Sequence, residues 1–357
     1  MNHSNNIDLD GKKMGGHLLV DSLRTHGVDM VFGVPGESYL AVLDGLQDAN
    51  SIKTIMCRQE GGSAMMAEAY GKLTGKPGVC LVTRGPGATN ASAGIHIAMQ
   101  DSTPLVMLVG QVGREMMDRE AFQEIDYRRM YGELTKWVAQ IEDTSRIPEY
   151  ISRAFHTATS GRPGPVVLAL PEDMLTEYAD TKIINSYQKI EAYPSPADLA
   201  QVEEMLSKSK APLMIVGGGG WDEASCQMIQ DFAEKNHLPV GCSFRCQDYF
   251  DNRHPNYVGH IGIGLSTSLQ DRIINSDLLV VIGARLGEVT TSGYSLLDIP
   301  KPKQQLIHIH SGAEELGSVY QADLPINASP RSFAEAISQL EICLLYTSDA
   351  ADEEDSV

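Results

Sequence analysis

Residues 57–90 read CRQEGGSAMMAEAYGKLTGKPGVCLVTRGPGATN, and three patterns follow one another inside them. From residue 61 to 74 runs a helix of small residues, closed by Gly75. Val79 to Thr83 is an unbroken apolar strand. Gly85-Pro86-Gly87 then makes a stiffened glycine loop before a second helix over Thr89 to Met99. Upstream, apolar spacing predicts a helix over His17 to His26, a strand over Met30 to Val34 broken by Pro35-Gly36, a helix over Tyr39 to Gln47 and a strand over Thr54 to Cys57. Downstream come a strand over Leu105 to Gly110, a helix over Arg146 to Thr159, the turn GRPGP at 161–165 and a strand over Val166 to Leu170. Strands and helices alternate with short connections. That predicts an α/β unit with a doubly wound parallel sheet, both faces covered and right-handed crossovers.

Periodicity then lapses. Residues 176–197 include Pro194 and Pro196 and read as a linker. A second unit follows over 198–340, with strands near Leu213 to Val216, from Val240, at Leu278 to Ile282 and at Leu306 to Ile309. Its helices are expected over Val202 to Leu206, Ala224 to Lys235 and Ser332 to Leu340. The expected organisation is therefore a polar, disordered tail at 1–15, a first domain at 16–175, the linker, and a second doubly wound domain at 198–340. A further tail follows at 341–357. Its end, LLYTSDAADEEDSV, is acidic and aperiodic, and reads as disordered or non-native sequence.

The 357 residues carry a net charge of −19 and are 42% hydrophobic, a globular composition. The acidity argues against nucleic acid or an anionic membrane surface as partner, since both need a cationic face. No apolar run approaches the ~20 residues of a membrane helix. The N-terminus shows no apolar secretory core, so a cytoplasmic location is expected. Six cysteines form no CxxC pair, and Cys242, Cys246 and His237 match no zinc spacing, so no metal ligand is assigned.

In the first unit, three glycine- or proline-bearing turns follow three successive strands: Gly33-Val34-Pro35-Gly36, Cys57 to Gly62 and Gly85 to Asn90. In a parallel sheet all three lie at the carboxyl edge, where ligands bind. Taken alone, Glu60 is an acid favoured by a helix N-terminus. With Pro35 and Pro86 it falls along one edge of one sheet, a coincidence harder to dismiss than any single motif. In the second unit, Gly217-Gly218-Gly219-Gly220 follows a strand. It fails the GxGxxG fingerprint, because residue 222 is Asp. Gly283-Ala284-Arg285 also follows a strand, either to meet a phosphate or as a strand-ending turn.

The stretches VFGVPGESYLAVLDGL (31–46), 57–90 as quoted, DSTPLVMLVGQV (101–112), AFQEIDY (121–127) and ATSGRPGPVVLALPED (158–173) occur in this order. Together they resemble the pyrimidine-binding domain of thiamine-diphosphate enzymes, especially the acetolactate synthase large-subunit group. Residues 198–335 resemble, less closely, that family's central domain, which in acetolactate synthase binds FAD.

The resemblance implies thiamine diphosphate as cofactor. Glu60 would bond N1′ of its aminopyrimidine, and Val34, Pro35, Gly36, Thr83, Pro86 and Asn90 would line the pyrimidine pocket. Phe122 and Gln123 would face the reacting carbon, with the Gln amide able to stabilise an oxyanion. There is no adjacent histidine pair, which points to carboligation of a 2-oxo acid rather than simple decarboxylation. Gly217, Gly218, Gly219, His260, Gly283, Ala284 and Arg285 would contact a flavin. Against that, Leu286-Gly287-Glu288-Val289 and His310 depart from the family pattern. Mg2+ would be held by a third domain carrying Gly-Asp-Gly, a triplet absent from this sequence. A homodimer or tetramer through the first domain is implied, with the chain as the N-terminal portion of such an enzyme. Two alternatives stand beside it: another thiamine-diphosphate decarboxylase or acyltransferase, and a non-catalytic nucleotide-binding assembly protein.

Overall fold

The structure, a computed structural model, describes residues 11–180 and 184–342. The chain divides into two compact units between Ile190 and Glu191, inside the stretch expected to be a linker. No helix among the described residues is long and apolar enough to cross a membrane.

The first unit holds strands β1 (Lys13–Met14), β2 (Met30–Gly33), β3 (Lys53–Met56), β4 (Gly78–Val82), β5 (Leu105–Gln111), β6 (Trp137–Gln140), β7 (Pro165–Pro171) and β8 (Tyr178–Ala179). Its helices are α1 (Gly15–Thr25), α2 (Leu40–Asp48), α3 (Glu60–Thr74), α4 (Gly85–Asp101), α5 (Tyr127–Tyr131), α6 (Ile147–Thr159) and α7 (Glu172–Thr176). Six strands form one sheet in the order β3-β2-β4-β5-β7-β6, and every pair is parallel. Strands β4, β5 and β7 are buried throughout. Alternate residues feed opposite cores: Val79, Leu81, Val106 and Leu108 join α1, α2 and α6, while Cys80, Val82, Met107 and Val109 join α3, α4 and α5. A strand covered on both faces needs apolar residues at every position, hence its continuous apolar run. Leu19 and Leu23 of α1 are fully buried, each contributing about 1.5–3 kcal/mol. The small residues of α3 let α4 approach closely: a Cβ on Gly94 would lie 2.6 Å from that of Ala64.

The second unit holds β9 (Pro212–Val216), β10 (Val240–Ser243), β11 (Tyr257–Ile261), β12 (Leu278–Ile282), β13 (Gln305–His310) and β14 (Leu324–Asn327), with helices α8 (Pro196–Lys208), α9 (Glu223–Lys235), α10 (Thr267–Asn275) and α11 (Pro330–Ile337). The sheet order is β11-β10-β9-β12-β13-β14, again all parallel. Helices α8, α9 and α11 cover one face and α10 the other. Reciprocal capping boxes, Ser195 with Asp198 and Asp222 with Ser225, start α8 and α9.

The doubly wound expectation holds for both units, and three local expectations change. Order begins before residue 16, because Lys13 and Met14 pair antiparallel with Ala179 and Tyr178. The pairing is two residues long and leaves no periodic signal. Residues 1–10 of the N-terminal tail, and residues 343–357 of the C-terminal one, lie outside the described residues. Gly85-Pro86-Gly87 is the first turn of α4 rather than a loop; proline suits that turn because its missing N–H has no helical partner there. The second helix of the first unit is preceded by a short 3-10 turn at Glu37–Tyr39.

In each unit burial favours the neutral form of a histidine. Burial, and secondarily His156, push His26 down to about 4. His308 is likewise lowered to about 4, mainly by burial. Unfolded histidine protonates near 6.5, so both contribute stability above that pH, and the contribution is lost as pH falls from about 6.5 toward 4. Partial solvent screening leaves on the order of 1–2 kcal/mol per histidine. Urea midpoints measured between pH 7.5 and 4.5 should fall with acidification, and an invariant midpoint would contradict the assignment.

Candidate functional site

Because the first sheet is wholly parallel, β2, β3 and β4 all release the chain at one edge. The chain runs from β2 outward to β3, then crosses back to β4 on the other side of β2. Such a reversal of strand order leaves a crevice outside the carboxyl ends, the usual ligand site of open α/β sheets. Val34-Pro35-Gly36 and Thr83 flank that point, and Glu60 opens the helix after β3.

The turns converge. A Cβ on Gly36 would lie 2.5 Å from the Thr83 Cβ, so the first and third turns touch only because residue 36 has no side chain. Ser38 Oγ lies 3.0 Å from Thr83 Oγ1. The Tyr39 hydroxyl donates to the Val34 carbonyl. Tyr39 is held above its ordinary range by burial, then by the Cys80 thiol and the Glu60 carboxyl. From the other side, Asn90 Nδ2 donates to Glu60 Oε2 at 3.0 Å. A Cβ on Gly87 would lie 3.6 Å from Glu60 Oε1 and 2.9 Å from Thr83 Cγ2. Glu60 Oε1 accepts no hydrogen bond from the described residues, and Pro35, Pro86 and Asn90 are exposed. The result is a half-buried carboxylate with one oxygen fixed and the other facing a cradle that the absent Gly87 side chain keeps open.

Phe122 and Gln123 sit against the start of α4. Gly85 N–H donates to the Gln123 carbonyl at 3.0 Å and Arg84 Nη1 to the Phe122 carbonyl at 3.3 Å. Arg84 is itself paired with Glu172. The pattern reading missed Ser38, Tyr39, Arg84 and Glu172. Ser38, Arg84 and Glu172 act through contacts across distant parts of the chain, which leave no local signal.

In the second unit the sheet reverses between β9 and β12, an order equivalent to 3-2-1-4-5-6. Gly217 to Gly219 and Gly283 to Arg285 follow those two strands and meet there. Gly217 N–H donates to the Ile282 carbonyl at 3.0 Å. A Cβ on Gly218 would lie 1.9 Å from the Gly283 carbonyl oxygen. Trp221 Nε1 and the Tyr249 hydroxyl each donate at 2.8 Å to the carbonyls of Gly217 and Gly218. Arg285 Nε lies 3.0 Å from Glu315 Oε1, yet is buried without a well-aligned hydrogen bond. His308 donates Nε2–H to the Ala284 carbonyl. His260 is set apart. It lies on the edge strand β11, level with Val216 but two strands from it, and bonds Gln247 at 2.8 Å. Sequence order does not reveal that β11 lies on the far side of β10.

Comparison with known proteins agrees with this architecture. Residues 13–130 match the thiamine pyrophosphate enzyme N-terminal TPP binding domain, and residues 199–337 match the thiamine pyrophosphate enzyme central domain. The chain is 31% identical to the acetolactate synthase isozyme 2 large subunit of Escherichia coli K12, covering 91% of this chain and 59% of the relative. It is 32% identical to the acetolactate synthase large subunit of Corynebacterium glutamicum, over 89% of this chain and 51% of the relative. It is also 32% identical to that of Lactococcus lactis, over 94% and 58%. The chain thus spans between half and three-fifths of the length of these relatives. With a parallel sheet that reverses beside Glu60 and a second sheet of dinucleotide-binding order, the chain belongs to the thiamine pyrophosphate enzyme family and carries that family's N-terminal TPP binding domain and central domain.

Proposed function

We propose that the chain is the pyrimidine-binding and central portion of an acetolactate-synthase-like, thiamine-diphosphate-dependent 2-oxo acid carboligase. The observation that carries the reading is the Glu60 carboxyl, pinned at Oε2 by Asn90 and bare at Oε1 beside Gly87. Those residues fit an aminopyrimidine: the bare oxygen faces a space that a side chain at residue 87 would fill. Val34, Pro35, Gly36, Thr83, Pro86 and Asn90 would hold the ring, and Glu60 would bond its N1′.

Thiamine diphosphate, when bound, supplies the electron sink that lets a 2-oxo acid lose carbon dioxide and pass on its remaining carbons. The protein's part is acid–base and positional. Glu60 takes or returns a proton at Oε1 while Asn90 keeps the carboxyl from turning. Phe122 excludes water, and the Gln123 amide donates to a developing oxyanion. Mg2+ and the diphosphate would belong to a third domain. A second copy of the chain is the proposed partner, supported by the exposed Met65, Met66 and Leu73 on α3, since methionine suits adaptable contacts. The test is carbon dioxide release and product analysis on pyruvate and bulkier 2-oxo acids, using the chain completed with a diphosphate-binding domain. Turnover that does not require thiamine diphosphate would refute the reading.

A flavin in the second unit is a further proposal, favoured by the buried Arg285 Nε that lacks an aligned partner at the strand-order reversal. Gly217, Gly218, Gly219, Gly283, Ala284 and Arg285 would hold it. His310, buried against Gly312, stands where the resembled enzymes carry an acid. Purified chain mixed with FAD and desalted should retain flavin absorption; a colourless protein refutes this proposal.

A further inference from the structure

Residues 117–125 form neither helix nor strand, yet their conformation is tightly specified. Three of them, none glycine, have positive φ: Asp118 at +61°, Glu120 at +56° and Gln123 at +66°. Side chains are disfavoured in that region, and such residues persist only where their surroundings enforce them. At one end the enforcement is plain. Gln123 and Phe122 carbonyls are held by Gly85 and Arg84, and the Ile125 carbonyl accepts from buried Gln111 Nε2 at 2.8 Å. At the other end it comes from one side chain. Glu124 Oε1 accepts from the Asp118 N–H at 2.7 Å and Oε2 from the Ala121 N–H at 2.9 Å. Bonds to a carboxylate are about twice as strong as neutral ones.

Ile125, at the end of this stretch, packs against the core; the two residues before Glu124 do not. Phe122 is 78% exposed. The Gln123 amide has no partner among the described residues. Two side chains without intramolecular use are thus displayed from a strained turn, pinned to the helix whose Gly87 borders Glu60.

We propose that Glu124 is a positioning residue, whose carboxylate clasps the turn so that Phe122 and Gln123 stand ready beside the reacting carbon. The assignment rests on the function proposed above. It gives Glu124 no contact with substrate, and accounts for its effect through the two backbone N–H groups it captures.

Two measurements test it. In the 357-residue chain, Glu124→Ala should speed amide exchange at Asp118 and Ala121 about tenfold or more, leaving α3 unchanged. Glu124→Gln, with one acceptor oxygen left, should keep only one of the two amides protected. In the chain completed with a diphosphate-binding domain, Glu124→Ala should lower kcat/KM for carboligation about tenfold or more. Released aldehyde should rise relative to carboligated product, thiamine diphosphate affinity should stay within about twofold, and Glu124→Gln should restore part of the loss. Unchanged exchange at residues 118 and 121 overturns the clasp. An equal loss of cofactor affinity overturns the positioning role in favour of a structural one. Wild-type protein without thiamine-dependent turnover overturns the underlying functional reading instead, and the exchange measurement still decides the clasp.

Discussion

Glu60→Gln, made in the chain completed with a diphosphate-binding domain, is expected to lower thiamine-diphosphate-dependent turnover by about 10²–10⁴-fold, the usual worth of a positioned acid–base group. The substitution is nearly isosteric. The amide oxygen can still accept from Asn90, so the hydrogen bond between α3 and α4 survives. What disappears is the ability to take and return a proton at the other atom. Glu60 is half-buried and is the first residue of its helix, so the fold should be undisturbed and the melting temperature unchanged. Separation of rate from stability is the signature to look for. Full turnover in the variant would show that the carboxyl does no proton chemistry.

Gly218→Ala should produce the largest loss of stability in the second unit. Gly218 has φ +72° and its Cβ would stand 1.9 Å from the Gly283 carbonyl oxygen, which is backbone and cannot rotate away. Left-handed strain costs about 1–2 kcal/mol, and overpacking about 1–3 kcal/mol more. Gly75→Ala is the natural comparison: φ is +68°, but nothing lies within 4 Å, so only the strain of about 1–2 kcal/mol applies. The two tryptophans report separately, Trp137 in the first unit and Trp221 beside the mutated loop in the second. With Trp137 replaced by Phe, urea unfolding followed by fluorescence should show a markedly larger midpoint shift for Gly218→Ala than Gly75→Ala gives when read from Trp137 with Trp221 replaced by Phe. A midpoint shift no larger than that of Gly75→Ala would mean that the two glycine loops do not abut as described.

How much of this was legible in the sequence depended on burial. Central strands were readable because both faces are covered: Val79–Val82 and Leu278–Ile282 are apolar at every position. Of the four edge strands of the two six-stranded sheets only β3 was. Trp137–Gln140, Tyr257–Ile261 and Leu324–Asn327 each leave residues at the surface, which removes the apolar run without making a long alternation. The start of α4 was misread because glycine and proline together signal a loop, although proline is equally at home in a first helical turn. At the site, Glu60 stood out because parallel strands put their following turns on one edge, a rule that needs no coordinates. Its bond to Asn90 did not, nor did the contact of Ser38 with Thr83, 45 positions apart. Glu124 left no signal either, because its partners are backbone N–H groups that every residue but proline carries.

The most direct test of the central claim is a crystal structure of the completed chain with thiamine diphosphate and Mg2+. The aminopyrimidine should lie between the Val34–Gly36 turn and the start of α4, with N1′ within about 2.6–3.2 Å of a Glu60 carboxylate oxygen. A pyrimidine bound away from Glu60, with its N1′ partnered by another residue, would contradict it.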